Sequence, residues 1–143
     1  MILISHRGNI TGSEPANENK PEYINKALDL GFEVEIDVWY KNGWFLGHDK
    51  PEYKINQEFL SNKLLWCHAK NLSALAEMLK CDAHCFWHEE DDYTLTSKGI
   101  VWTYPSKPVC KQSVIVCKTK EEAIRMSSRE ILGVCSDYVG VIN

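Results

Sequence analysis

Short apolar segments that end in polar residues alternate along this chain with stretches of helical period, and that alternation predicts a parallel α/β fold. Ile2 to Ser5 and Leu64 to Ala69 are runs of strand length that turn polar at once, into His6-Arg7-Gly8 and into Lys70. Tyr23, Ile24, Ala27, Leu28 and Leu30, and later Leu72, Leu75, Ala76 and Leu79, recur at helical spacing. About seven strand-like segments stand against three clear helices in 143 residues, whereas a complete eight-fold barrel needs roughly 250. The expected architecture is therefore a shortened or incomplete TIM-like (β/α) barrel, one domain over residues 1–143.

Each element has a local cause. After the first strand, Asn9 to Lys20 is polar, contains Gly and Pro, and reads as a loop. Pro21 suits the first turn of the helix that follows, and Gly31 stops it. Glu33 to Tyr40 is the second strand. Asn42-Gly43 is a strong hairpin signal, and a two-residue turn there pairs Lys41 with Trp44 and Tyr40 with Phe45, setting His48 opposite Asp37. Asn71 or Ser73 caps the second helix. Strands are expected at Ala83 to His88, Ile100 to Tyr104, Ser113 to Cys117 and within Val134 to Ile142, with a capping box from Thr119 to Glu122 opening the third helix. The segments 93–99 and 105–112 are too short for crossover helices.

Glu33, Glu35 and Asp37 alternate with Val34, Ile36 and Val38, so a strand puts all three carboxylates on one face. Like charges that close repel, and a strand tolerates them in water or around a cation. A net charge of −4 argues against nucleic acid as a partner. No apolar run reaches membrane-spanning length, nothing at the N-terminus reads as a secretory leader, and Cys67, Cys85, Cys117 and Cys135 sit in apolar segments as small hydrophobes, so a cytoplasmic protein is expected. An incomplete barrel exposes sheet edges, which makes a homo-oligomer an expected partner state. Cys81, His84, Cys85 and His88 invite a structural zinc reading, but C-x2-H-C-x2-H is no standard finger and lacks a second pair.

His6, Arg7, Glu35, Asp37, His48 and Lys70 all fall at or just past strand ends, where a barrel rim would gather them. Together they describe a phosphodiester site: Glu35 and Asp37 hold a divalent cation, Arg7 and Lys70 neutralise the phosphate, and two histidines serve as general base and acid.

This set resembles the glycerophosphodiester phosphodiesterase family, within the phosphatidylinositol-phospholipase-C-like superfamily of TIM barrels. The resemblance rests on H-R-G at His6 to Gly8, E-N at Glu18-Asn19, E-I-D-V at Glu35 to Val38, N-G at the hairpin and H-D at His48-Asp49. Lys70, Trp102-Thr103 and Ser136-Asp137-Tyr138 match later motifs in the right order. The resemblance implies an intracellular enzyme of lipid metabolism that hydrolyses a small glycerophosphodiester to an alcohol and glycerol phosphate. It implies Mg2+ or Ca2+ on Glu35 and Asp37, His6 and His48 as the acid–base pair, Arg7 on the phosphate, Trp102 against the substrate, and Glu18 behind Arg7 or the metal. One departure stands out. Where the family has a third metal-binding carboxylate, two residues before the lysine, this chain has His68, which favours Mn2+ or Zn2+ over Ca2+. Glu89 or Asp91 could substitute as the third ligand. A catalytically inactive phosphate-binding relative and a sphingomyelinase-D-like lyase are the rival readings.

Overall fold

A computed structural model describes residues 1–142. Its strands are β1 (Ile2–His6), β2 (Glu33–Tyr40), β3 (Trp44–Leu46), β4 (Tyr53–Ile55), β5 (Leu65–Ala69), β6 (Cys85–Phe86), β7 (Tyr93–Leu95), β8 (Val101–Thr103), β9 (Ser113–Cys117) and β10 (Gly133–Ser136). The helices are α1 (Pro21–Asp29), α2 (Leu72–Lys80) and α3 (Lys120–Ser127), with short 3₁₀ turns at Gln57–Ser61 and Val139–Val141. The molecule is thus mixed α/β, with ten strands in one sheet and, among the described residues, three helices.

Seven strands run parallel in the order β6-β5-β2-β1-β10-β9-β8. The other three are antiparallel additions: β3 and β4 extend the far end of β2, and β7 folds back on β8. The strand ladder does not close between β6 and β8 among the described residues. That gap is spanned by the chain after β7, where Ser97 N–H donates to the Cys85 carbonyl at 2.8 Å and Cys85 N–H to Ser97 Oγ at 3.0 Å.

Alternation along the strands separates two apolar layers. Ile4, Trp66, Phe86, Trp102, Val114 and Cys135 pack together on the inner face. On the outer face, Val34, Ile36, Val38, Cys67 and Ala69 lie under Ile24 and Ala27 of α1 and Ala74 and Met78 of α2, while Ala123 and Met126 of α3 cover Ile115, Cys117 and Val134. Gly31, at φ +91°, closes α1 with its N–H on the Leu28 carbonyl. Asn71 caps α2 by accepting from Ala74 N–H, and it also exchanges two hydrogen bonds with the Tyr40 backbone, which ties the helix to the end of β2.

Several expectations need correction. The buried face of α2 is Ala74 and Met78, whereas Leu72 and Leu79 are 73% and 59% exposed. The stripe against the core runs through Ala74 and Met78, and of the expected leucines Leu75 packs beside it. The hairpin register also slips by one: Tyr40 pairs with Trp44 and Trp39 with Phe45. With Asn42 at φ +51° and Gly43 at φ +142°, and Lys41 N–H on the Gly43 carbonyl, the turn takes three residues instead of two. In the third helix, Glu122 N–H donates to Thr119 Oγ1 as expected, but the Glu122 carboxylate reaches back to Lys118 N–H, one residue beyond the Thr119 N–H that a capping box uses. The final strand stops at Ser136; Gly140 N–H then bonds the Ile10 carbonyl, and a side chain on Gly140 would strike Ile10.

Candidate metal centre and active cleft

Parallel register does most of the assembly. His6 of β1 lies beside Glu35 of β2, and Asp37 of β2 lies beside His68 of β5. All four side chains therefore converge on the inner face at the carboxyl ends of neighbouring strands. Glu35 and Asp37 are 3% and 0% exposed, so the acidic face of β2 is not a solvated one. His68 Nδ1 sits 3.6 Å from Glu35 Oε1 and 3.3 Å from Asp37 Oδ1, and one donor atom from each of the three residues falls within 4.8 Å of the others. Glu35 Oε2 and Asp37 Oδ1 are buried and accept no hydrogen bond. Buried carboxylate oxygens without donors are costly, and a cation between them removes the cost. The donor set and the two orphaned oxygens fit a divalent ion.

The other Asp37 oxygen is fully used. Asn19 Nδ2 donates to Oδ2 at 2.8 Å and Arg7 Nε lies 2.9 Å from it, while Asn19 Oδ1 takes the Asp37 backbone N–H at 2.9 Å. Burial alone would raise the Asp37 pKa, yet His48, His68 and Arg7 hold it well below the ordinary carboxylate range. Reaching this arrangement bends the backbone: Arg7 and Asn19 adopt φ +56° and +65°, a conformation costing about 1–3 kcal/mol at a non-glycine residue. Gly8 follows at φ +94°, where any side chain would run into the Tyr23 ring.

Arg7 is committed to the protein on three sides. Beyond Asp37, Nη1 donates to Glu18 Oε2 at 3.1 Å and Nη2 to His48 Nδ1 at 2.6 Å. Glu18 is in turn held by Asn9 Nδ2 and Ser13 Oγ, at 2.9 and 2.8 Å on its other oxygen; against the raising effect of burial, these bonds and Arg7 lower its pKa. Glu18 thus sits behind Arg7. His48 is 45% exposed and reaches Asp37 despite the shifted register, because Gly47 turns the chain at φ +153°, where a Cβ would collide with the Lys50 carbonyl. Lys70 Nζ lies 3.9 Å from Asp37 Oδ1.

His6 Nδ1 bonds Asp137 Oδ1 at 2.8 Å, and Asn9 Nδ2 donates to the same oxygen at 2.8 Å. Burial lowers the His6 pKa, but the Asp137 bond and the Glu35 charge outweigh it and leave the pKa raised. For His68 the opposition is larger still: burial is overcome by Asp37 and Glu35, pushing its pKa to about 9. His68 Nε2–H donates to the His88 carbonyl at 2.7 Å, which turns Nδ1 toward the carboxylates.

A cleft of about 560 Å³ opens over these groups, and Trp102, Tyr104, His88 and Lys118 belong to its walls. Trp102 itself is 3% exposed and packs against Phe86 at 4.4 Å between ring centroids, so it forms the floor. The structure gathers His6, Arg7, Glu35, Asp37, His48, His68, Lys70 and Trp102 at this one cleft. Glu89 also lines it, but neither Glu89 nor Asp91 joins the Glu35–Asp37–His68 group.

Sequence reasoning left Asn9, Asn19 and Asp137 without roles, although E-N and S-D-Y had marked two of them as motif residues. The zinc candidates do not assemble among the described residues. His84 Nε2 bonds Thr96 Oγ1, Cys81 Sγ bonds the Met78 carbonyl, and Cys85 is buried in the outer core. No helix among the described residues is long and apolar enough to cross a membrane. Comparison with family models, curated proteins and solved structures returns no match.

Proposed function

We propose that this chain is a metal-dependent phosphodiesterase acting on a small glycerophosphodiester, built on an incomplete seven-stranded barrel. The observation that carries the reading is the pair of buried, unpartnered carboxylate oxygens beside His68 Nδ1 at the bottom of a cleft that also holds His6, His48, Arg7 and Lys70. Glu35, Asp37 and His68 would hold the cation, which supplies charge for a phosphoryl oxygen. The barrel reading draws on the parallel order of the seven strands, the common inner core, and the Cys85–Ser97 bonds across the open seam.

The chain's own groups divide the remaining work. Lys70 neutralises a phosphate oxygen, and Arg7 acts chiefly by fixing Asp37 and His48. A water or a hydroxyl of the substrate attacks phosphorus; one of His6 and His48 takes its proton as the other protonates the departing alcohol oxygen. Asp137 sets the His6 ring through Nδ1, which leaves Nε2 for the cleft. The products are an alcohol and glycerol phosphate, or a cyclic phosphate when the substrate's own hydroxyl attacks.

The rival reading, a phosphate-binding relative without turnover, is favoured by the engagement of Arg7 within the protein, through hydrogen bonds from Nη1 and Nη2 and an ion contact from Nε to Asp37. Release of alcohol from a panel of glycerophosphodiesters, with Mg2+, Ca2+, Mn2+ or EDTA, separates the two. Metal-dependent turnover lost in His6→Ala and in Glu35→Ala is the expected result. A folded protein that binds glycerol phosphate and turns over nothing would establish the rival.

A further inference from the structure

The metal group differs chemically from an all-oxygen site, and four features make its nitrogen the organising ligand. Asp37 and His68 are direct cross-strand neighbours, so the imidazole is placed by sheet register and not by a mobile loop. Its Nε2–H is engaged by the His88 carbonyl at 2.7 Å, which turns Nδ1 toward Glu35 and Asp37, where a cation would take the place of the Nδ1 proton. Its ring lies parallel to Phe86, at 9° and 5.2 Å between centroids, and only 14% of the side chain is exposed, so the imidazole has little freedom to swing away. Finally, the charge available to a cation is reduced: Arg7 Nε is 2.9 Å from one Asp37 oxygen and Lys70 Nζ 3.9 Å from the other.

Hard cations are sensitive to that combination. Ca2+ takes 6–8 oxygen ligands, and Mg2+ binds through carboxylates and retained waters, so both depend on the carboxylate charge that Arg7 and Lys70 offset. Imidazole nitrogen suits divalent transition metals, whose affinity for a mixed nitrogen–oxygen site rises from Mn2+ through Co2+.

We propose that Glu35, Asp37 and His68 form a site selective for divalent transition metals over Mg2+ and Ca2+, with the rigidly held His68 Nδ1 as the selectivity determinant. This rests on the reading of that group as a metal site, but not on any activity of the cleft.

The test measures binding without substrate. Mn2+ binding is followed by loss of the free-ion electron paramagnetic resonance signal, Co2+ by its visible absorption, and Mg2+ and Ca2+ by competition against Mn2+. Wild type is compared with His68→Glu and Glu35→Gln, each checked for folding by circular dichroism. Wild type is expected to hold Mn2+ and Co2+ at least about 10-fold tighter than Mg2+ or Ca2+, with Glu35→Gln weakening all four ions by about 10-fold or more. His68→Glu should narrow or invert the Co2+/Mg2+ ratio, and a ratio within one variant is independent of the fraction folded. Equal or tighter Mg2+ or Ca2+ binding in wild type, a ratio unchanged in His68→Glu, or no bound ion at all would each overturn the proposal. Turnover assays report separately. Selective Mn2+ binding without phosphodiester cleavage would sink the proposed activity alone, and cleavage by a protein that binds Mg2+ as tightly as Mn2+ would sink only the selectivity.

Discussion

His68 and His84 stand at opposite ends of the inner core, and the sheet treats them in opposite ways. His84 packs against Trp66 at 4.2 Å between centroids and bonds Thr96, and burial together with the Lys98 charge depresses its pKa to about 4. His68 is as confined, but two carboxylates overcome its burial and raise its pKa to about 9. The carboxylates of β2 divide along the same line. Glu33 accepts the Trp66 indole N–H at 2.6 Å, whereas Glu35 and Asp37 each keep a buried oxygen that accepts no hydrogen bond and faces only His6, or His68 and Lys70, at 3.3–3.9 Å. One end is saturated and the other is left polar, buried and incomplete. Folding rewards satisfied groups, so the incomplete end is where function should be sought.

The sharpest way to break this contrast is to remove a carboxylate from the incomplete end. Glu35→Gln should abolish phosphodiester turnover and weaken metal binding by about 10-fold or more, while the folded state survives because Oε2 accepts no hydrogen bond and its ion contact, His6 Nε2, is 3.9 Å away. Turnover and metal titration on one preparation check both halves.

A second variant asks whether the His6–Asp137 contact orients a catalytic group. Asp137→Asn should lower kcat by about 100-fold with little effect on metal affinity, since Asp137 touches His6 and Asn9 but lies outside the metal group. An unchanged kcat would show that the charge of Asp137 does nothing for His6 in the reaction.

At the saturated end, Trp66→Phe should destabilise the protein by about 2 kcal/mol, through the lost indole bond to Glu33 and the space left in the inner core, and leave metal binding untouched. Urea unfolding with parallel Mn2+ titration reads both.

A further contrast between the two histidines, whose unfolded pKa is about 6.5, is in the pH dependence of metal-free stability. His84 is depressed in the folded state, so the unfolded chain takes up its proton first as pH falls, and stability is lost between about 6.5 and 4. His68 is raised, so its contribution is complete below about 6.5 and is lost as pH rises through about 9. Urea midpoints in EDTA should therefore fall on both sides, with His84→Gln flattening the acid limb and His68→Gln the alkaline one. The opposite assignment of limbs would show that the two environments had been misread.

Much of this was decided locally. The alternation in Glu33 to Tyr40 placed three carboxylates on one face, Pro21 and Gly31 bounded α1, and the short segments 93–99 and 105–112 left no room for helices. These follow from backbone periodicity, turn chemistry and length, which are properties of neighbouring residues. Tertiary structure decided which carboxylates were saturated, because that depends on partners far along the chain: Trp66 for Glu33, Asn19 and Arg7 for Asp37. It also gave Asp137 to His6 across 131 positions, through the pairing of β1 with β10. His68 shows the division most clearly. Its identity and its strand could be read from the sequence, but the direction of its nitrogens was set by a carbonyl on β6's continuation and a phenyl ring beside it, contacts that exist only once three strands have paired.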